Sequence, residues 1–282
     1  MKVIKKNGYY YLQHSIRKNN KIITKSKYLG LTIPKKLKEI KEEFYRDINK
    51  ELFEKLDKIK YNFNNEWKKI PNTAKNKELE EISISFTYNT NAIEGSTITL
   101  PETREIIIDN IAPSKSLQDI QETKKHSEVF LNALKKKEKI TKELILRWHK
   151  DMFDESKTDI AGKFRNYLVR VGTYIAPDSN EVIPLMNKLI EFIKTSKLHP
   201  VELAGRAHYI FEMIHPFGDG NGRVGRLLMN YILWHNSYPM IIIENKKKKS
   251  YYRALEKEEN DFADYFIKMY IKVHKNRYYT DK

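Results

Sequence analysis

The sequence has 282 residues, 40% hydrophobic and 12% aromatic, so it can bury a sizeable core and is not disordered throughout. It has a formal net charge of +16 and no cysteine, which excludes disulfide bonds, thiolate zinc sites and cysteine nucleophiles. No apolar run reaches the roughly 20 residues that a membrane helix needs, so we expect a cytoplasmic protein without a membrane partner.

The positive charge is concentrated at the N-terminus. Residues 1–38 carry eleven Lys and Arg side chains and no Asp or Glu, whereas the rest of the chain is nearly balanced. A basic arm on a balanced body is typical of a solvated lysine-rich surface, which we favour over a nucleic-acid partner. A regulator that binds nucleic acid through this arm stays open as an alternative, because its aromatic strands alternate with lysines. A dimer-forming or target-docking arm fits the same pattern.

The arm begins with strands and continues into a long helix. Aromatic and β-branched residues predict strands over 9–16 and 22–24, joined by a turn at 18–20, with a short third strand over 28–30. Apolar residues at helical spacing then predict an amphipathic helix that ends near residue 68, before Pro71. We therefore divide the chain into a first region, 1–70, and a second region, 75–282.

The second region is helical nearly throughout, which predicts a mainly α fold. A β-hairpin over about 167–183 interrupts the helices, because a short run of strand-forming residues precedes a Pro-Asp-Ser-Asn turn. We predict helices over the segments 75–90, 101–111, 115–136, 141–154, 184–195, 199–214, 223–236 and 250–275.

A glycine-rich segment, residues 215–226, holds the most informative chemistry. Glycines at 218, 220 and 222 let the backbone turn sharply and approach a ligand closely. Apolar residues from Val224 onward have helical spacing, so the segment leads into a helix N-terminus, where free N–H groups and the helix dipole attract anions. We interpret this segment as a phosphate-binding loop, although a turn with a capping aspartate would share part of the pattern.

The side chains of this segment suggest a reaction at the bound phosphate. Arg223 and Arg226, three residues apart, can form bidentate contacts with phosphate oxygens. Asp219 would repel a phosphate unless a divalent cation such as Mg²⁺ lies between them. His215 is the natural proton acceptor at neutral pH. We interpret His149 and His208, on apolar helix faces, as packing or surface residues.

Segment 215–226 resembles the Fic family signature, His-Pro-Phe-x-(Asp/Glu)-Gly-Asn-Gly-Arg-x-x-Arg, at every position. The resemblance extends over about residues 80–272, with a core at about 137–272. It implies a Fic-type helical bundle whose hairpin forms a flap. It also implies transfer of AMP from ATP to a Ser, Thr or Tyr hydroxyl of a protein, which could be the chain itself, with Mg²⁺ or Mn²⁺ as cofactor. Many relatives with the inhibitory helix considered below dimerise, so a homodimer is expected.

The resemblance assigns roles to the residues of the loop. His215 would take the proton from the attacking hydroxyl, Asp219 would hold the metal ion, and Arg226 would pair with the γ-phosphate. A relative that transfers phosphate instead of AMP carries lysine at the position of Gly222, so the glycine favours AMP transfer. The implied nucleotide-binding residues of the loop are Asp219, Gly220, Asn221, Gly222, Arg223 and Arg226.

Two further segments resemble nucleotide contacts of the family. The flap residues Val171, Gly172, Thr173 and Tyr174 would lie over the nucleotide while the hairpin holds the target as an added strand. An ordinary exposed hairpin is the alternative. Tyr251 and Tyr252 match a pair near the adenine, although tyrosines at helical positions also serve as packing residues. A family asparagine beyond this pair is out of register here, since residues 258–260 compete for its place.

Residues 90–95, Thr-Asn-Ala-Ile-Glu-Gly, resemble the family's N-terminal inhibitory motif, (Ser/Thr)-x-x-x-Glu-(Gly/Asn). Glu94 would end a helix, where the dipole disfavours a carboxylate unless a cation compensates. The resemblance implies that Arg226 is that cation and that Glu94 competes with the γ-phosphate for it. In some relatives the same glutamate supports removal of AMP, so a mainly de-AMPylating enzyme is an alternative function.

Overall fold

A computed structural model describes residues 1–18 and 21–279. The chain forms two compact units, Met1–Asp57 and Lys58–Lys282, and the division between them falls inside the first helix, α1 (Leu37–Lys69). The mainly helical fold expected from the sequence is confirmed. Among the described residues, no helix has the length and apolar character needed to span a membrane.

The first unit is a three-stranded antiparallel sheet with the first turns of α1. Strands β1 (Lys2–Lys6), β2 (Tyr9–Lys18) and β3 (Lys21–Gly30) pair in chain order. The core of this unit consists of apolar side chains between the sheet and α1. This packing stabilises the sheet, because three strands need a hydrophobic face that another element covers. The core residues are Leu12, Phe44 and Ile48, with Val3, Leu29 and Ile40 packed against them.

The sequence prediction for the arm was wrong in two respects. Residues 2–6 form strand β1, which has too many lysines to be recognised as a strand but pairs with β2 along its whole length. Segments 22–24 and 28–30 belong to a single strand, β3, since its ladder with β2 continues through a bulge near Tyr10 and Tyr11. Two residues of the predicted turn, 19 and 20, lie outside the described residues.

The second unit is a helical bundle with one small hairpin. The hairpin pairs β4 (Arg170–Val171) with β5 (Tyr174–Ile175), so its regular strands are shorter than the predicted 167–183. The helices after α1 are α2 (Asn72–Ile93), α3 (Leu100–Arg104), α4 (Leu117–Lys135), α5 (Lys142–Phe153), α6 (Ser179–Thr195), α7 (Pro200–Ile214), α8 (Asn221–His235), α9 (Lys248–Leu255) and α10 (Glu259–Tyr278).

Helix α8 lies at the centre of the bundle. Its residues from Asn221 to Leu233 are all buried, which fits a helix that neighbours surround on every side. Helices α2, α4, α5 and α7 all contact it. Glycines allow the closest approach, since a Cβ at Gly225 would collide with Glu212 of α7. The N-terminus of α8 is therefore held in a fixed position by its packing.

Three of the predicted helices differ clearly from the helices of the structure. Helix α6 begins at Ser179 rather than at Pro184, because Asp178 caps the earlier start by accepting a hydrogen bond from the Asn180 N–H at 2.9 Å. The helix predicted over 250–275 is two helices, since α9 ends at Leu255 and α10 restarts at Glu259. The predicted 101–111 helix is α3 followed by a π-helical turn over Glu105–Asp109.

Candidate active site

The loop between α7 and α8 turns through two residues of left-handed backbone conformation. His215, which follows the last residue of α7, has φ of 50°, and Gly220, which precedes α8, has φ of 77°. Glycine adopts this conformation readily, whereas histidine does so only where its surroundings hold it. The loop therefore presents the N-terminus of α8 and the His215 side chain from opposite ends of one short turn.

The His215 imidazole is held in a partly buried position that favours its neutral form. Burial lowers the pKa of His215, the Glu212 carbonyl offsets part of this shift, and the charge of Arg165 lowers the pKa further. That carbonyl lies 3.4 Å from Nδ1. A neutral imidazole at physiological pH can accept a proton, which is what a general base requires.

Arg165 connects the loop to the hairpin. Its guanidinium is buried and donates to four backbone carbonyls: Tyr167 at 2.8 Å, Pro177 at 2.7 Å, His215 at 2.8 Å and Ile214 at 3.3 Å. Tyr167 and Pro177 flank the β4–β5 hairpin on either side, while Ile214 and His215 end α7. One side chain therefore fixes the base of the hairpin and the backbone of His215 together.

His149 holds the other end of the loop. Its Nδ1 accepts a hydrogen bond from the Gly162 N–H at 2.9 Å, so Nε2 carries the proton and donates to the Asp219 carbonyl at 3.0 Å. The ring also stacks on Phe217, with centroids 3.8 Å apart, and burial lowers the pKa of His149 to about 4. Beyond the packing role that the sequence suggested, His149 orients the backbone of the loop.

Four charged side chains surround the start of α8. Lys157 contacts Asp219 at 2.6 Å and Glu122 at 2.9 Å, and Glu122 forms a short ion pair with Arg223. Burial would raise the pKa of Asp219, but the hydrogen bond from Lys157 and the charge of Arg223 more than offset it, so the pKa is lowered. The Asp219 side chain, 49% exposed, is thus an ionised carboxylate open to the pocket.

The guanidinium of Arg226 is buried and binds helix α2. It donates from Nε to the Thr90 hydroxyl and from Nη2 to the Thr90 carbonyl at 3.2 Å, and Nη2 lies 2.5 Å from a carboxylate oxygen of Glu94. Glu94 caps α2, and Gly95 follows with φ of 102°. A Cβ at Gly222 would collide with the Glu94 carboxylate, so the glycine is needed for this pairing.

A pocket of about 240 Å³ opens between these groups. Its lining is mostly polar and combines the end of α2, one side of α4 and the start of α8, which suits a charged ligand better than an apolar one. The lining residues are Asn91, Glu94, Gly95, Ser96, Gln118, Asp119, Glu122, Lys157, Asp219 and Arg223.

The remaining candidate residues lie in two places. Val171, Gly172 and Thr173 are on the exposed hairpin, and Tyr174 donates a hydrogen bond from its hydroxyl to the Met213 carbonyl of α7 at 2.7 Å. Tyr251, in contrast, is buried.

Tyr251 lies behind the Arg226 guanidinium rather than at the protein surface. Its hydroxyl contacts His208 Nε2 at 2.7 Å, and burial raises its pKa well above the ordinary value. Its neighbour Tyr252 is half-buried, and burial raises the pKa of Tyr252 to about 12. Of the pair, Tyr252 is therefore the ring that solvent reaches.

Sequence reasoning missed three residues of the site, Glu122, Lys157 and Arg165. Glu122 on α4 and Lys157 just after α5 are two charges among many, and only the packing of these two helices against α8 brings them to Asp219 and Arg223. Their role as neighbours of the loop is visible in the fold alone.

The fold and the site together define a helical protein in which an uncapped helix N-terminus lies near a partly buried histidine. Residues 139–233 match the model of the Fic/DOC family. The chain therefore contains a Fic/DOC domain, as its sequence resemblance predicted.

Curated relatives and solved structures agree with this assignment. The chain is 33% identical to "Protein adenylyltransferase Fic" of Nematostella vectensis, over 67% of this chain and 46% of the relative. It is 34% identical to the protein of the same name in Drosophila willistoni, over 66% of this chain and 39% of the relative. The chain thus spans less than half the length of these two relatives.

Two solved structures resemble the fold over most of the chain. Fic-1 of C. elegans matches with a TM-score of 0.69 and 25% identity, covering 83% of this chain and 72% of that one. A Fic domain containing signaling protein from Bacteroides thetaiotaomicron matches with a TM-score of 0.63 and 25% identity, covering 80% of this chain and 97% of that one. Both support a Fic-type architecture that extends well beyond residues 139–233.

Proposed function

We propose that this chain transfers AMP from ATP to a hydroxyl side chain of a protein, and that Glu94 restrains the reaction. One observation carries the proposal: His215, Asp219 and the open N-terminus of α8 converge on a single short loop. The relatives named protein adenylyltransferase support the same reaction. The partners are then ATP and a target protein, and the first acceptor to examine is the chain itself.

In this proposal His215 is the general base. Its imidazole is neutral at physiological pH, because burial lowers its pKa. It would take the proton of the target hydroxyl as the hydroxyl oxygen attacks the α-phosphorus. The bond from that phosphorus to the bridging oxygen breaks, so pyrophosphate leaves and AMP remains on the target. Arg165, which bonds to the His215 carbonyl, keeps the imidazole in place during the reaction.

The phosphates would bind at the N-terminus of α8. The free N–H groups of its first turn and the positive end of its dipole attract anions, and they act as fixed donors for charge that grows in the transition state. Arg223 adds a guanidinium, whose buried Nε has no hydrogen-bond partner among the residues that the structure describes. Such a donor lacks only an acceptor, which a phosphate oxygen would supply.

The residues around Asp219 fit a divalent cation. Asp219 is ionised and open to the pocket, and no group of three or more acidic or histidine side chains stands ready to hold a metal among residues 1–18 and 21–279. One carboxylate together with phosphate oxygens is the donor set that Mg²⁺ takes, and Mn²⁺ accepts it as well. When bound, the ion would neutralise phosphate charge. Lys157 forms an ion pair with the same Asp219 carboxylate, so its ammonium group would have to move away when the metal ion binds.

Glu94 would act as the restraint because it occupies Arg226. The two groups form a close ion pair, and one guanidinium cannot pair fully with both Glu94 and a γ-phosphate. Such a pair gains on the order of 4 kcal/mol at an effective dielectric of about 20, before desolvation is counted. This energy is large enough to change how ATP binds.

A labelling experiment tests the reaction and the restraint together. Wild type, Glu94→Gly and Glu94→Gly/His215→Ala are incubated with Mg²⁺ and ATP labelled at the α-phosphate. We expect strong labelling of protein in Glu94→Gly, about 10-fold or more above wild type, and none in the double variant. The matched control is Glu81→Gln. Glu81 lies on α2, the helix that Glu94 caps, and its replacement breaks an exposed ion pair with Arg104 of α3, so this variant should behave as wild type.

Other outcomes of this experiment would contradict the proposal. Equal labelling from ATP labelled at the γ-phosphate would mean that the chain transfers phosphate instead of AMP. Labelling that survives His215→Ala would mean that His215 is not the general base. Purified labelled protein could also lose its label when wild type is added. In that case removal of AMP, the alternative function, is the main activity of the chain.

A further inference from the structure

The N-terminal sheet presents one face that packing leaves uncovered. Side chains alternate between the two faces of a strand, and the pairing register shows which ones share a face. We call the uncovered side the outer face. It carries Lys2, Ile4, Lys6, Tyr9, Tyr11, Gln13, Ser15, Thr24, Ser26 and Tyr28.

The opposite face packs against α1. Leu12 and Val3 pack there against Phe44 of α1, and Lys27 reaches Glu43 at 2.6 Å. Because α1 supplies these contacts, the sheet is stabilised from one side only. Substitutions on the outer face therefore leave the core of this unit intact.

Three tyrosines form a cluster at one end of the outer face, next to the turn between β1 and β2. The ring of Tyr28 lies 5.8 Å from that of Tyr9 and 5.5 Å from that of Tyr11 between centroids. Tyr28 is 57% exposed and Tyr9 40% exposed. Large aromatic rings are usually buried, so a cluster of exposed ones marks a binding surface.

The charge of this region selects an anionic partner. Residues 1–38 have eleven positive side chains and no acidic one, and two exposed lysines lie on the outer face, Lys6 opposite Tyr9 and Lys2 opposite Gln13. Beyond the cluster, Gln13 bonds to Ser26 at 3.4 Å and Ser15 to Thr24 at 2.9 Å, so this part of the face offers polar groups at the surface.

We propose that the outer face binds single-stranded nucleic acid. Unpaired bases stack on exposed aromatic rings, and lysines beside the rings neutralise the phosphates that follow the bases. A duplex keeps its bases stacked inside and cannot use the rings in this way, whereas a single strand offers a base and a phosphate at every nucleotide. The inference is independent of the AMP transfer proposed above, since it rests on the first unit alone.

The proposal is tested by fluorescence anisotropy, in which the full chain is titrated into labelled 20-nucleotide poly-dT or poly-rU. We expect saturable binding at low salt that is tighter than binding of a 20-base-pair duplex. Lys2→Gln/Lys6→Gln should reduce the steepness of the salt dependence, by up to about 1.4 in log–log slope, because two phosphate contacts are lost. Lys188→Gln/Lys197→Gln, which removes two exposed charges elsewhere, should leave the slope unchanged.

The tyrosine variants separate stacking from simple charge attraction. Tyr28→Ala should weaken binding at least about fivefold, whereas Tyr28→Phe, which keeps the ring, should bind as wild type. Tyr61→Ala removes a 67% exposed tyrosine from α1 and is the matched control. Equal affinity of Tyr28→Ala and Tyr61→Ala, tighter binding of the duplex, or no binding at low salt would overturn the proposal. Labelling from ATP by Glu94→Gly should not change with Tyr28→Ala.

Discussion

At the scale of single residues, the Arg226 guanidinium is the most constrained charge in the site. It is buried, and its hydrogen bonds go to Thr90 and Glu94. A buried charge that loses its only counter-ion is strongly destabilising, but both bonds to Thr90 remain when Glu94 is replaced. Glu94 lines the pocket, so its removal would let water from the pocket reach the guanidinium. We therefore expect Glu94→Gly to keep its fold while it frees Arg226.

The pKa of His215 can be predicted and measured without any assay of AMP transfer. Because burial lowers its pKa, its imidazole should titrate below the ordinary value of about 6.5. The measurement is an NMR titration of the histidine ring protons of the wild type, with His215→Ala to assign the resonance. The neutral form then persists to mildly acidic pH. A midpoint at or above 6.5 would mean that the imidazole is not buried as described.

At the scale of elements, the hairpin and the end of α7 behave as one piece because Arg165 bonds to both. Its four acceptors are carbonyls of these two segments, which the Tyr174 hydroxyl also joins by donating to the Met213 carbonyl. His215 adopts a left-handed conformation, which the bond to its carbonyl helps to hold. A target that binds along the hairpin would in this way be placed in a fixed relation to the base.

Replacing Arg165 should therefore separate chemistry from nucleotide binding. In a Glu94→Gly background, Arg165→Met should lower AMP transfer about 10- to 100-fold, since small displacements of reacting groups are costly. Arg165→Lys should retain an intermediate rate. Affinity for ATP, measured by calorimetry, should change little because the phosphate donors lie on α8.

Arg147→Met, which removes an exposed pair with Glu138, is the control for Arg165→Met. If Arg165→Met transfers AMP at the rate of its parent, Arg165 is only a structural residue. An equal loss of ATP affinity would lead to the same conclusion.

At the scale of the whole molecule, buried histidines make the fold sensitive to acid. Burial lowers the pKa of His149 and His274 to about 4 and that of His208 to about 3. The unfolded chain binds these protons near pH 6.5, so the folded state loses stability as the pH falls from 6.5 towards 4. Glu212 acts in the opposite sense, because burial raises its pKa to about 8.

The expected result is a thermal midpoint that falls by roughly 10 °C between pH 7 and pH 5. Each of the three histidines contributes on the order of 3 kcal/mol over the full range to pH 4, and the single glutamate offsets only part of it. Differential scanning fluorimetry in buffers of constant ionic strength measures the effect. A midpoint that is constant or higher at pH 5 would show that the histidines are accessible to protons in the folded state.

The amino-acid sequence by itself determined the helical architecture and the local shape of the loop. Segment 215–226 could be interpreted in isolation because its glycines, its histidine and the following helix act within one turn of backbone. Helix positions were predicted from apolar spacing, a local property, and the boundaries failed where a cap or a break overrode that spacing, as at Asp178 and at residues 256–258.

The tertiary structure alone decided which distant groups meet at the loop. Glu122 and Arg223 are 101 residues apart in the chain, and Arg165 and His215 are 50 apart, so no local pattern connects them. The same holds for the arm, where the register of three strands gathers Tyr9, Tyr11 and Tyr28 on one uncovered face. Short-range conformation follows from neighbouring residues, whereas contacts of this kind depend on how complete helices and strands pack.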